Sequence, residues 1–243
     1  MSDGTQSDPT GFETLESFSK IPAFNRWLYD RTKRFMRGQI LEIGSGIGNI
    51  SAFLLKDQLS VSLSDLRPEY TSLLKKKFSG EPHLLGVYDL DLSQPDFINH
   101  HTDLVGKFDT IIALNVIEHI ENDSLAIRNA TAMLRKDGRL LILVPAGQWL
   151  YNSLDRELGH YRRYSKSSLN DLLKSAGLVI SGNKYFNAAA MLGWWFSGNI
   201  LRHKIISPAQ LNIYNVLVPV FRIFDWLVTP FTGISVISVG TKK

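Results

Sequence analysis

The chain has 243 residues, 44% of them hydrophobic and 21% charged, which suits one globular α/β domain and excludes a wholly disordered protein. It contains no cysteine, so disulfide scaffolds, thiolate zinc sites and cysteine nucleophiles are excluded. The formal net charge of +4 tolerates an anionic partner without demanding nucleic acid.

Residues 1–11 are polar, lack the basic start and apolar run of a signal peptide, and read as a disordered tail. The expected location is the cytoplasm. Residues 12–37 read as an N-terminal helical segment. Phe24, Trp27, Leu28 and Phe35 recur near helical spacing, and Arg26, Arg31, Lys33, Arg34 and Arg37 supply a basic face. This is either a surface helix docked on the main domain, or a lid or surface for an anionic substrate or membrane.

The main domain is expected to span 38–243. Strands are predicted at 39–43, 59–63, 83–88, 107–114 and 139–144, with helices at 47–56, 67–78 and 124–135 between them. Lys136-Asp137-Gly138 reads as a helix stop. Asp109, at the start of the fourth strand, reads as structural. Ser165 can cap a helix ending at Ala176-Gly177, and 178–186 and 234–239 read as two further strands. Strands alternating with helices imply right-handed crossovers and a mostly parallel sheet covered on both faces.

The glycine cluster Leu41-Glu42-Ile43-Gly44-Ser45-Gly46-Ile47-Gly48-Asn49 carries the strongest chemical signal. A strand running into a glycine-rich turn that opens a helix lets a ligand approach the backbone, at the sheet edge where nucleotide-like ligands sit. The spacing is G-x-G-x-G, with Asn49 where a dinucleotide fingerprint has its third glycine. Glu42 suits an ammonium better than a pyrophosphate. Both details favour S-adenosylmethionine over a nicotinamide cofactor. Asp65, with its neighbour Leu66, follows the second strand, where a carboxylate can accept ribose hydroxyls. Asp89 and Leu90 follow the third strand, where they could bind and cover an adenine; Asp91 is an alternative acid. Asn115 and Val116 follow the fourth, where Asn115 would reach the ligand and Val116 line the site. Glu118 and His119 are either part of the site or helix-entry residues, and helix entry is the favoured reading for Glu118.

The ordered motifs LEIGSGIGNIS, LSDLRPEY, VYDLD, FDTIIALNVIEHI and DGRLLILVPA resemble class I S-adenosylmethionine-dependent methyltransferases over roughly residues 38 to 186. The resemblance implies a Rossmann-like seven-stranded sheet of order 3-2-1-4-5-7-6, with its seventh strand antiparallel and formed by 234–239. It also implies cofactor contacts from Glu42, Gly44, Gly46, Asp65, Asp89 and Asn115. Trp149-Leu150-Tyr151, Leu154-Asp155 and Gly159-His160-Tyr161-Arg162-Arg163-Tyr164 further resemble a bacterial subgroup often associated with glycosyltransferases of cell-surface polysaccharide synthesis.

That second block follows the fifth strand, so it shares the sheet edge with the glycine turn. His160 is the candidate general base, because histidine is the side-chain type that exchanges protons near neutrality, and Asp155 accompanies it. Arg162 and Arg163 could hold an acceptor phosphate or carboxylate, and Tyr151, Tyr161 and Tyr164 could flank a sugar or sulfonium. The expected activity is methylation of a small molecule or a lipid-linked glycan, at oxygen. The competing readings are an NAD-linked oxidoreductase and a non-catalytic cofactor-binding module of a polysaccharide-synthesis complex. No nucleic-acid partner is expected. The six histidines are scattered without ligand spacing, so no metal is expected.

The late apolar insert, about 187–231, contains Trp194-Trp195-Phe196 with Arg202, His203 and Lys204 nearby. It reads as a helical pair packed on the sheet, a lid, a homodimer face, or a peripheral patch on the inner membrane. Pro219, Arg222, Asp225 and Pro230 are expected to interrupt it and so prevent a transmembrane helix.

Overall fold

The computed structural model describes residues 9–202 and 207–243. Most of the expected tail, and His203 and Lys204 beside the tryptophan pair, lie outside the described residues. Two helices open the described chain. α1 (Pro9–Ser19) begins inside the segment read as tail. α2 (Pro22–Lys33) starts on Pro22, where a helix needs no N–H.

Five strands then alternate with helices: β1 (Ile40–Ile43), α3 (Ser51–Lys56), β2 (Val61–Asp65), α4 (Pro68–Lys77), β3 (Leu84–Asp89), α5 (Phe97–His100), β4 (Phe108–Leu114), α6 (Asp123–Met133) and β5 (Leu134–Pro145). The last third holds α7 (Ser153–Glu157), α8 (Lys166–Ser175), β6 (Leu178–Phe186), α9 (Ala190–Trp195), α10 (Pro208–Val228) and β7 (Ser235–Lys242). The seven strands make one sheet in the order β3-β2-β1-β4-β5-β7-β6. The first five are parallel, and β7 runs antiparallel between β5 and β6. This is the topology that the family resemblance implied.

Strand alternation sends Leu41, Ile43, Ile111, Ala113 and Ile142 to one face, against Ile127 and Met133 of α6 and Leu169 of α8. Ile40, Ile112, Leu141 and Leu143 go to the other, against Trp27 of α2, Leu54 of α3 and Leu74 of α4. β1 and β2 are buried along their whole length, as strands of a sheet covered on both faces must be.

Two differences from the sequence reading bear on the architecture. α6 ends at Met133, and the expected stop at Lys136-Asp137-Gly138 lies inside β5. There Asp137 takes a left-handed φ of 61°, and the register of β5 against β4 slips between Phe108 and Thr110. The chain thus makes a bulge where a loop was expected.

α10 is the second difference. It runs unbroken through Pro219, Arg222 and Asp225, and is long and apolar enough to cross a membrane by length and composition. Ser207 caps it by accepting the Gln210 N–H. Of its residues only Leu211, Val218 and Asp225 are buried. Asp225 accepts the Ala188 N–H at 2.7 Å and lies 3.8 Å from Arg31, which fastens α10 to the end of β6 and to α2. Ile213, Val216, Val220, Ile223 and Trp226 face outward.

Trp27 of α2 and Phe186 of β6 are fully buried, with ring centroids 4.7 Å apart in an edge-to-face pair. Phe186→Ala should cost about 3–5 kcal/mol in urea unfolding, since it leaves a cavity under that tryptophan. A loss below about 1 kcal/mol would mean that α2 is not part of the cooperative core.

Candidate active site

The glycine turn lies at the carboxyl end of β1. It does not open directly into a helix: residues 46–50 form successive turns and α3 begins only at Ser51. Gly44 has φ +69°, and a Cβ there would lie 2.4 Å from Val116 Cγ2. Only glycine allows both the left-handed backbone and this close approach of the β4 end. Gly46 has φ +52°, and its N–H donates to Asp65 Oδ2 at 2.9 Å.

Glu42 is buried at the base of this turn. The Ser51 hydroxyl donates to its Oε2, and the hydroxyls of Ser45 and Ser64 donate to its backbone carbonyl at 3.2 and 3.0 Å. Burial pushes the carboxyl up to about 7, and the serine hydrogen bonds only partly offset this. No ion pair to Glu42 occurs among the described residues. A carboxylate held this way is short of a countercharge, which an ammonium would supply. The residues therefore fit the cofactor inferred from the motif.

Asp65 closes the adjoining rim. Its Oδ1 accepts the Arg67 N–H at 3.1 Å while Oδ2 holds the turn, and burial raises its pKa. Asp89 accepts the Thr71 hydroxyl at 2.5 Å. Leu66 is 58% exposed at this rim. Leu90 is not available to cover a ligand: it packs into the core with Leu92 and Phe97. Asn115 is exposed and takes φ +56°, its N–H donating to Leu143 O at 2.8 Å. Asn115 and Val116 thus reach the rim together.

Sequence reading missed what α1 does. Leu15 would lie 2.8 Å from a Cβ on Gly46, Asn49 Nδ2 donates to Leu15 O at 2.9 Å, and the Phe12 and Tyr70 rings stack at 6.4 Å. α1 therefore lies across the glycine turn. Asn49, which marked the departure from a dinucleotide fingerprint, was the one sequence signal.

Beyond β5 the chain builds a second, mostly buried cluster. Asp155, within α7, is fully buried. Its Oδ1 accepts from His160 Nδ1 and from Arg163 Nε, each at 2.8 Å, and Oδ2 accepts the Asn152 N–H at 3.0 Å. These bonds hold the Asp155 carboxyl below its ordinary range despite burial. The Tyr151 hydroxyl donates to His160 O at 2.7 Å.

The His160 and His119 rings meet edge to face at 4.8 Å, with Glu118 beside them. Glu118 is fully buried in the short 3₁₀ turn Ile117–His119 that leads into α6, and burial pushes its carboxyl up to about 8. The scattered histidines of the sequence are thus partly gathered: His119, His160 and Glu118 offer ligand atoms within 4.8 Å of one another.

Three expected substrate contacts are corrected. Arg163 is buried, bonded to Asp155 and to Ala146 O, and stacked 4.8 Å over Trp194, so it braces the cluster. Arg162 is held by Asp123 at 2.8 Å and by Glu121 O at 2.7 Å. Tyr164 is buried in the core, its hydroxyl donating to Asp123. Tyr161 remains exposed. The cationic groups beside the cluster are instead Arg156 and Arg202, which line a cleft of about 410 Å³ with Tyr151, Asn152 and Asn199.

The pKa of Glu42 sets a pH test. Below about 7 the group is protonated in the free protein and cannot pair with an ammonium, so affinity for S-adenosylhomocysteine should fall roughly tenfold per pH unit. Because the folded pKa lies above the ordinary 4.5, the free protein should also lose stability as pH rises through that window. Calorimetry and melts between pH 5 and 8 check both, and Glu42→Gln should bind more weakly and flatten both profiles.

The family described as "Methyltransferase domain" matches residues 12–181. The chain is 27% identical over 113 residues to the non-reducing polyketide synthase nvfA of Aspergillus novofumigatus, covering 43% of this chain and 5% of that protein. It is 23% identical over 160 residues to the ubiquinone biosynthesis O-methyltransferase of Xanthomonas euvesicatoria pv. vesicatoria, covering 58% of this chain and 63% of that enzyme. The chain thus spans less than two thirds of either relative. Its fold is similar to that of a putative sarcosine dimethylglycine methyltransferase from Galdieria sulphuraria, with a TM-score of 0.60, 15% identity, and coverage of 90% of this chain and 85% of that one. The chain belongs to the methyltransferase-domain family.

Proposed function

We propose that this enzyme O-methylates a small hydroxylated acceptor that carries an anionic group, such as a glycan phosphate or carboxylate. The observation that carries the reading is the His160–Asp155–Glu118–His119 cluster, built at the same sheet edge as the glycine turn. When bound, the cofactor supplies a methyl on a sulfonium for in-line displacement. The chain's part is to hold the acceptor oxygen in line and to handle its proton, and positioning of this kind gives large effective molarities.

The roles divide as follows. Glu42, Asp65, Asp89 and the Gly44–Gly46 turn orient the cofactor, with Leu66, Asn115 and Val116 at its rim. The acceptor hydroxyl rests against the His160 cluster and loses its proton there. Asp155 is a positioning residue: its bond to Nδ1 leaves Nε2 as the ring nitrogen available to the reaction. Arg156 and Arg202 meet the anionic group in the cleft beside Tyr151. The Gly159–Tyr164 block, similar to that of methyltransferases found with glycosyltransferases, supports a glycan acceptor. His160→Asn should lower kcat by roughly 10²–10⁴ and leave S-adenosylhomocysteine binding unchanged. Asp155→Asn should act in the same direction. Wild-type turnover by His160→Asn on any hydroxyl acceptor would refute this role.

We infer that the face formed by α9 and α10 rests on the cytoplasmic side of a bilayer, bringing the site to an amphiphilic acceptor. Leu192, Trp195, Phe196, Ile223 and Trp226 are exposed along it, and Arg26, Arg31 and Arg34 stand on the neighbouring α2. Because Asp225 fastens α10 to the domain, the helix would lie along the surface and not cross it. Vesicles containing phosphatidylglycerol should carry the protein in flotation, and Ile223→Asp with Trp226→Asp should abolish this. A concentration-dependent dimer that buries these residues, with no flotation, would overturn it.

A further inference from the structure

We propose that Glu118, His119 and His160 bind one divalent first-row transition ion, and that this ion holds the acceptor oxygen during methyl transfer. The second half of the proposal rests on reading the cluster as the acceptor site; the ion site itself does not.

Three observations point to an ion. The ligand atoms of the three residues lie within 4.8 Å of one another. Bonds of about 2.0–2.2 Å put neighbouring donors roughly 3–3.5 Å apart, so the three side chains would draw together on the ion. Next, both carboxylate oxygens of Glu118 are buried and find no hydrogen-bond partner among the described residues, which folded proteins rarely tolerate. Arg163 is the nearest cation that acts on Glu118, but its Nε bonds to Asp155 and an NH₂ group to Ala146 O. A divalent ion would give the two oxygens their partner. Finally, His160 donates through Nδ1 to a carboxylate, the outer-shell bond that orients most metal-bound imidazoles, with Nε2 left as the ligand atom.

The donor set selects the ion. Two imidazoles and one carboxylate suit Zn²⁺, Mn²⁺, Fe²⁺, Co²⁺ or Ni²⁺, whereas Ca²⁺ and Mg²⁺ prefer all-oxygen shells. Three protein ligands leave positions open for an acceptor hydroxyl. His119 is exposed, so ion and acceptor can enter from solvent.

The charges balance: one carboxylate and one acceptor oxyanion neutralise the ion, while Asp155 and Arg163 neutralise each other. Coordination lowers the pKa of the hydroxyl, whose proton leaves to water. The oxygen then forms a bond to the methyl carbon as the carbon–sulfur bond breaks and its electron pair goes to sulfur. With the ion in place, His160 Nε2 serves the reaction as a ligand, and the kcat loss expected for His160→Asn follows from loss of the ion that takes up the acceptor oxygen.

The test uses the full chain, stripped with EDTA and dialysed. Titration with Mn²⁺, followed by the resonance of the free ion, and with Zn²⁺ against a chromophoric chelator, should show one ion per chain. Glu118→Gln should weaken binding by at least about a hundredfold, and Asp155→Asn by about 10–100-fold. His119→Ala, at an exposed position, should match Glu118→Gln and lose the rise in Tm that Mn²⁺ gives the wild type. No binding at millimolar ion, or wild-type binding by both ligand variants, would overturn the site. Undiminished methyl transfer in chelator would overturn the ion's role on the acceptor, while leaving the methylation reading intact. Failure of that reading looks different: hydroxyl acceptors stay unmethylated while the ion still binds with the same variant pattern, which upholds the site.

Discussion

Helices cover both faces of the central strands, so a carboxylate on β1 or β2 meets a ligand only where those strands end. This confinement organises the molecule. The ends of β1, β2 and β3 place Glu42, Asp65 and Asp89 along one rim, and the ends of β4 and β5 place Asn115, Glu118 and the start of the acceptor block beside it. The parallel order puts the cofactor groups and the acceptor groups on one edge without a second domain to bring them together.

The same confinement makes charge expensive. Glu42 and Glu118 are both deeply buried carboxyls pushed toward neutrality by loss of water. Asp155 is as buried yet is held ionised by His160, Arg163 and the Asn152 N–H. The contrast marks two kinds of acid. Asp155 is satisfied inside the protein and serves to fix its neighbours. Glu42, held by the Ser51 hydroxyl, and Glu118 both lack a paired cation among the described residues, as acids do where an outside cation completes the set.

Much of this was legible in the sequence. The glycine turn, Glu42 before it, and the alternation of strands with helices are local patterns, and the resemblance that they carry gave the strand order. What was not legible depends on contacts between distant segments. Arg162, Arg163 and Tyr164 look like a substrate-binding run, but their partners, Asp123 and Asp155, come from other elements. Leu90 alternates into the core because β3 ends one residue earlier. Glu118 and His119 precede His160 by a whole strand and two helices, so no spacing rule joins them. α10 continues through Pro219 because that position faces outward, where a proline's missing hydrogen bond is cheaply replaced by water.

The N-terminal helix has a consequence for turnover. A single leucine, one asparagine amide and a pair of stacked rings hold α1 over the glycine turn, so a cofactor seated under α1 would leave only when they part. Departure of the spent nucleoside and peeling of the amino-terminal arm then share one barrier. The pace of the catalytic cycle would be set by a strap some distance from the transferred carbon.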